Sequence, residues 1–175
     1  MNPALASLLL DLNSFSDEEA EEKTYDEYLK LYTDHETHKG RVGLHKTHDG
    51  DDVLFYEWRF DHAFYESAYK TSRKYNKGKF ARKRAARIRW IGEIIKGNVN
   101  GCECCDMPHP NRRDSSGRIM LQRVYVLWEE NYLIWLEPHR SGGWWFSSAY
   151  VETKGRSYIR RNIISRGWRK KVSRD

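Results

Sequence analysis

The stretch from Arg118 to Val151 constrains the fold of this chain most, because turn residues divide it into three short apolar runs. The first run ends at Trp128, the second covers Tyr132 to Glu137, and the third begins at Trp144 after a Ser-Gly-Gly turn. Short β-branched and aromatic runs between Gly, Pro, Asn and Ser are typical of an antiparallel meander. The stretch therefore predicts a series of three hairpin-connected strands.

Charge is divided unevenly along the chain. Residues 1–36 contain ten acidic and two basic residues, whereas residues 37–175 contain 15 acidic and 29 basic ones, for a net charge of +6. A basic body indicates a polyanionic partner, most often nucleic acid. The alternative is a soluble surface with an acidic tail. We interpret the chain as an acidic arm at 1–36, an α+β core at 37–153 and a basic tail at 154–175.

Cysteine content and hydropathy indicate the compartment. The three cysteines lie within four residues, a pattern unlike the disulfide framework of a secreted domain. The apolar run Leu8–Leu10 is too short for a signal peptide or a membrane span. We therefore expect a reduced, cytoplasmic protein with no membrane partner.

A helix is predicted in the acidic arm. Ser16 and Glu19 have the spacing of a capping box, and Tyr25, Tyr28 and Tyr32 follow at helical spacing. We predict an amphipathic helix from Ser16 to Tyr32 whose aromatic face packs on the body. Alternatively, its acidic face shields a basic groove until a partner arrives.

Two further elements lead into the meander. The run Val53–Phe60 alternates with period two and predicts a half-buried strand, with His62 just beyond its end. The run Phe80–Lys96 predicts a helix that stops at Gly97. Arg84 falls on the apolar side of this helix, so it either meets an anion or carboxylate or extends to the surface.

A cysteine-rich segment precedes the meander. Cys102, Cys104, Cys105 and His109 supply the donor set of a structural Cys₃His zinc site, although their spacing differs from the usual C-x₂-C pairs. The alternative is a loop of reduced thiols.

The basic tail interleaves basic and aromatic residues, a pattern that suits phosphate contact combined with base stacking. A solvated tail is the alternative. With two tryptophans of the meander, the predicted substrate-binding residues are Trp144, Trp145, Arg160, Arg161 and Trp168.

The element order predicts an α+β domain with a helix on one face of an antiparallel sheet. Four segments carry a resemblance to a known family: Phe60–Phe64 (FDHAF), Arg84–Ile91 (RAARIRWI), Tyr132–Glu137 (YLIWLE) and Trp144–Tyr150 (WWFSSAY). Together they resemble phage-associated members of the barnase–EndoU–colicin–RelE superfamily of small endoribonucleases. The resemblance implies metal-independent cleavage of RNA without a catalytic cofactor, and a helix packed on a four-stranded antiparallel sheet that bears the active site.

The resemblance also implies site residues. It places a histidine after the first core elements, a basic residue on or near the helix, and a Ser or Thr before the final aromatic residue. On this chain those positions are His62, Arg84 or Arg87, and Ser147 or Ser148.

The chemistry of these residue types suits RNA cleavage. His62 can act as general base or acid, and an arginine fork can bind the phosphate. One of the two serines could hydrogen-bond a phosphate oxygen, since neighbouring strand residues face opposite ways. Tyr150 could donate a proton or stack on a base. No second catalytic histidine is evident, which leaves the acid unassigned.

Two other classes of function stay open. The chain could be a nucleic-acid-binding protein of a mobile element that does not cleave, or a zinc-stabilised adaptor whose acidic arm docks a partner protein. A nuclease of this kind could be a phage- or plasmid-borne toxin, which would have an inhibitor protein as its partner, or it could be a host-takeover factor.

Overall fold

The structure is a computed structural model that describes residues 3–67 and 77–171. Helical segments are α1 (Pro3–Ala6), α2 (Asp17–Tyr32), α3 (Arg59–Phe64), α4 (Arg82–Ala85), α5 (Ile88–Ile95), α6 (Gly155–Tyr158) and a π-helical turn at Ile159–Ile163. The strands are β1 (His35–Thr37), β2 (Gly40–Lys46), β3 (Asp52–Tyr56), β4 (Tyr65–Ser67), β5 (Lys77–Phe80), β6 (Cys102–Arg113), β7 (Ile119–Leu127), β8 (Tyr132–Pro138), β9 (Trp144–Val151) and β10 (Trp168–Lys171).

The main sheet has the strand order β1-β2-β3-β9-β8-β7-β6-β10, and β4 and β5 form a separate hairpin. The pair β3–β9 is parallel, whereas the other neighbours are antiparallel. The predicted four-stranded antiparallel sheet is therefore wrong. Among the described residues, the sheet is mixed and has eight strands.

One misread segment accounts for part of this difference, and a second segment ends earlier than predicted. The cysteine-rich segment, interpreted as a loop, is the long strand β6, which pairs with β7 from Cys102 opposite Leu127 onward. The predicted strand Val53–Phe60 ends at Tyr56, and the chain then turns into α3. Backbone pairing with β7 overrides the turn-forming composition of β6, since strand propensity depends strongly on context.

The predicted meander is confirmed. Strand β7 pairs with β8, and β8 pairs with β9, both in antiparallel orientation. The register shifts once, because Trp135 lies opposite Ser148 whereas Leu136 lies opposite Phe146. Ser147 is thus the extra residue of a β-bulge, a feature that re-aims neighbouring side chains.

The predicted acidic helix is also confirmed, capping box included. The Ser16 hydroxyl accepts from the Glu19 amide at 3.2 Å, and the Glu19 carboxylate accepts from the Ser16 amide at 2.8 Å. Tyr28 and Tyr32 are buried in the main core. The Tyr32 hydroxyl donates to the Ile88 carbonyl at 2.6 Å, so α2 is fastened to α5.

The predicted helix Phe80–Lys96 is divided in the structure. Phe80 ends β5, and α4 stops at Ala85 before α5 begins at Ile88. The carbonyl of Ala86 accepts the Leu10 amide at 2.8 Å, so the N-terminal segment takes an acceptor that a continuous helix would use.

The two faces of the sheet carry different layers. Helices α2, α3 and α5 pack on the first face, where Phe55 and Phe146 stack with ring centroids 5.0 Å apart. On the second face, Ile159 and Ile164 from the tail cover Val124 and Leu133. The tail therefore covers part of the sheet face opposite the helices. No helix in the described ranges has the length and apolar character that a membrane span requires.

Candidate active site beside strands β8 and β9

Strands β8 and β9 present polar groups where their pairing becomes irregular. Glu137 lies opposite Trp145, so both side chains point to the same face of the sheet. Tyr150 lies opposite Leu133 and packs on the second-face core. The bulge at Ser147 lies between these two positions and brings its hydroxyl to Glu137.

Glu137 is the centre of a hydrogen-bonded network. Its Oε1 accepts the Ser147 hydroxyl at 2.8 Å and faces the Arg59 guanidinium at 3.5 Å. Its Oε2 lies 2.7 Å from Nη2 of Arg112, which arrives from β6. Two arginines and a hydroxyl thus hold one carboxylate in a fixed orientation.

Arg59 is held between two aromatic rings. Its guanidinium carbon lies 3.7 Å from the ring centroid of Trp145 and 4.8 Å from that of Trp58. The residue is only 7% exposed, and its Nη2 donates to the Ser147 hydroxyl at 3.2 Å. Cation–π contact and the nearby carboxylate together compensate for burial of this charge.

His62 lies one helical turn after Arg59, so both residues project from one side of α3. The ring is accessible to solvent, but its pKa is lowered from the ordinary value. Partial desolvation is the main cause, and the positive charges of Arg59 and Arg84 add to it. The Glu137 carboxylate acts in the opposite direction. His62 is therefore neutral at pH 7 and able to accept a proton.

Arg84 and Tyr150 complete the cluster. The Arg84 guanidinium carbon is 5.5 Å from the Tyr150 ring centroid, and its Nη1 donates to the Tyr65 carbonyl at 3.2 Å. Burial raises the pKa of Tyr150, so its phenol stays protonated at neutral pH. The Trp135 indole donates to the Tyr150 hydroxyl at 3.3 Å, which orients the phenol.

An aromatic surface adjoins this cluster. Trp58 is 54% exposed, and its ring centroid lies 5.6 Å from those of both Tyr56 and Trp145. Exposed stacked aromatic rings beside fixed positive charge are a common platform for nucleic-acid bases.

The structure brings together four residues that the sequence indicated: His62, Arg84, Ser147 and Tyr150. Trp145 also belongs to the site, although it packs on Arg59 rather than lying open. Ser148 faces the second-face core opposite Trp135.

Other predicted residues lie elsewhere. Arg87 lies 4.9 Å from the Trp90 ring and donates to the Lys83 carbonyl at 2.7 Å. Trp144 lies on the first face, where its indole donates to Asp51 at 3.0 Å.

The tail residues are apart from the cluster as well. Arg160 packs on Trp128 with its guanidinium carbon 5.1 Å from the ring centroid, and the exposed Arg161 donates to the Ser157 carbonyl at 3.3 Å. The side chain of Trp168 is outside the described part of the structure.

The four predicted zinc ligands are not brought together. Cys102 and Cys104 are buried in the first-face core, whereas Cys105 is buried in the second-face core. Alternation along β6 separates Cys102 and Cys104 from Cys105, because neighbouring strand residues point to opposite faces. Within residues 3–67 and 77–171, no group of three or more His, Cys, Asp or Glu side chains is arranged to hold a metal ion.

Sequence reasoning missed Arg59, Arg112, Glu137 and Trp58. Glu137 could have been found, because the alternation of β8 places it on the same face as Trp135, two residues earlier. Arg59 and Trp58 carried no such signal. The predicted strand Val53–Phe60 would place their side chains on opposite faces of a sheet, but in the structure the strand ends at Tyr56 and the chain turns into α3.

Comparisons with protein-family models, with curated proteins and with solved structures found no match for this chain. The case for a function therefore depends on the geometry of the site.

Proposed function

We propose that this protein is a metal-independent endoribonuclease whose active site is the cluster around His62 and Arg84. The observation that supports the proposal most is the proximity of a neutral histidine, a half-buried guanidinium and a protonated phenol near a fixed carboxylate. RNA cleavage through attack by the ribose 2′-hydroxyl uses a base, a positive charge at the phosphate and an acid for the leaving oxygen. The histidine, the guanidinium and the phenol can supply these three. The proposal also agrees with the resemblance of the sequence motifs to small endoribonucleases.

The proposed reaction begins with proton transfer. His62 accepts the proton of a ribose 2′-hydroxyl, and the oxygen attacks the adjacent phosphorus. The bond from phosphorus to the 5′-oxygen breaks, and the Tyr150 phenol donates a proton to this leaving oxygen. The products are a 2′,3′-cyclic phosphate and a 5′-hydroxyl. Solvent exchange then returns His62 to its neutral form and Tyr150 to its phenol.

Charge stabilisation comes from the arginines. The Arg84 guanidinium can donate two parallel hydrogen bonds to the non-bridging phosphate oxygens, where negative charge increases in the transition state. Arg59 is buried, so it adds fixed positive charge. Glu137 and Ser147 position Arg59 because both hydrogen-bond to its guanidinium.

The aromatic surface provides a position where a nucleotide base of the RNA can stack. Trp58 is exposed beside the Trp145–Arg59 contact, so a nucleotide base can stack on it while its phosphate meets Arg84. Stacking of this kind tolerates any base, since every base has a π face.

Incubation with total RNA in EDTA tests the proposal. We expect wild type to cleave RNA, and His62→Ala to lose about 10²–10⁴-fold in rate, the usual contribution of a general base. His35→Ala is the matched control, since His35 is an exposed histidine on β1 at the edge of the sheet. Salt-sensitive binding without cleavage would contradict catalysis and favour a binding protein.

A further inference from the structure

A basic cavity adjoins the proposed active site between α4 and the end of β9. Its volume is about 770 Å³, and Phe80 and Val151 contribute its apolar walls. We infer that this cavity binds the RNA backbone on one side of the cleaved phosphate, so that the substrate is a polynucleotide strand. The inference depends on the proposed function for the position of the cleaved phosphate.

The charge of the cavity favours a ligand with several phosphates. Five basic and two acidic side chains line it. Three of the basic groups already have partners within the protein. Arg82 pairs with Asp17 at 2.6 Å and donates to the Leu12 and Phe15 carbonyls, and Arg84 and Arg87 each donate to a backbone carbonyl. Lys79 and Lys83 are exposed, so their ammonium groups are accessible to a phosphate chain.

Arg84 connects the cavity to the proposed catalytic groups. It lines the cavity, lies 5.5 Å from the Tyr150 ring, and lowers the pKa of His62. A strand with one phosphate at Arg84 therefore has its next phosphates directed toward Lys79 and Lys83. Repeated charge along a groove is the arrangement by which proteins follow single-stranded backbones.

The tail offers a competing surface. Arg161 is exposed on the π-helical turn and belongs to a segment rich in basic residues. This turn packs over the second-face core through Ile159, whereas the cavity is formed by α4 and the end of β9. Substitutions at the two places therefore distinguish the cavity from the tail.

Binding of uncleavable strands tests the inference. Fluorescein-labelled oligodeoxynucleotides of two and twelve nucleotides lack the attacking 2′-hydroxyl, so binding is measured apart from cleavage. The variants are the double substitution Lys79→Ala/Lys83→Ala and the control Arg161→Ala. Because all three side chains are exposed, we expect each variant to fold with the melting temperature of wild type.

The inference predicts a loss that depends on strand length. The double variant should bind the twelve-nucleotide strand roughly tenfold more weakly, with the slope of log K against log salt reduced by about 1.4, the loss of two single-strand phosphate contacts. Dinucleotide binding and the control should stay as in wild type. An unchanged affinity of the double variant, an equal loss for the dinucleotide, or no binding by wild type would overturn the inference.

The same samples separate the inference from the proposed function. If RNA is not cleaved but the length-dependent loss appears, the cavity binds a strand and the catalytic proposal fails. If RNA is cleaved but the double variant binds and cuts long and short substrates as wild type does, catalysis stands and the cavity inference fails.

Discussion

Replacing Glu137 by glutamine tests whether this carboxylate organises the site. The substitution keeps the size of the side chain but removes the charge that faces Arg59 and Arg112 and accepts from Ser147. We expect loss of stability without loss of the fold, because the hydrophobic cores on both faces of the sheet are untouched.

The magnitude follows from the individual contacts. The Arg59 contact is buried but long at 3.5 Å, so its loss should cost about 1–2 kcal/mol rather than the roughly 3–5 kcal/mol of an ideal buried pair. Loss of the charged acceptor for Ser147 adds about 1 kcal/mol. The Arg112 side chain is 37% exposed, so solvent screening limits its share to under about 1 kcal/mol.

The total loss is therefore about 2–4 kcal/mol, which corresponds to a fall in Tm of roughly 4–16 °C for a chain of this size. Thermal unfolding followed by circular dichroism measures it. Glu129→Gln is the matched control, since Glu129 is exposed in the turn between β7 and β8 and should change stability by under about 0.5 kcal/mol. Equal, small losses in the two variants would refute the view that Glu137 holds Arg59 in place.

Three further predictions concern the site and the core. Arg84→Gln removes a positive charge near His62, so it should raise the pKa of His62 toward its ordinary value. NMR titration of the imidazole ring protons measures this pKa, and an unchanged or lowered value would contradict the electrostatic coupling. Arg123→Ala should cost about 3–5 kcal/mol in denaturant unfolding, because Arg123 is 1% exposed and its loss removes two hydrogen bonds to the buried Asp106 carboxylate. A cost under about 1 kcal/mol would contradict this. Gly43→Ala should destabilise the fold by about 1–3 kcal/mol, because the new Cβ overlaps a backbone carbonyl of α2, whereas the Cβ of Gly92→Ala makes ordinary contacts, so this substitution should be neutral or stabilising. Thermal unfolding measures both variants, and equal effects would refute this steric explanation.

Local patterns predicted the elements whose stabilising contacts are close in sequence. The capping box of α2 depends on residues three apart, and the meander depends on alternation and short turns. Both are present in the structure. The parallel pairing of β3 with β9 joins Val53 to Trp144, and no local pattern encodes a contact across such a distance along the chain.

The site was predictable only in part for a similar reason. His62, Arg84 and Tyr150 were indicated by residue type and motif, but their convergence depends on how α3 and α4 lie beside β9. The bulge at Ser147 could not be predicted, since a single extra residue alters register without changing the hydrophobic pattern around it. Cys102 to Cys105 illustrate the opposite error, because strand alternation separates thiols that are adjacent in sequence.

The most direct test of the central claim compares a random-sequence RNA pool with the same pool carrying 2′-O-methyl ribose throughout, both incubated with wild type and His62→Ala in EDTA. We predict that wild type cuts only the unmodified pool, that the new ends are 2′,3′-cyclic phosphates and 5′-hydroxyls, and that His62→Ala cuts neither pool at a comparable rate. Cleavage of the methylated pool, equal cleavage by His62→Ala, or no cleavage by wild type would contradict attack by the 2′-hydroxyl with His62 as the base.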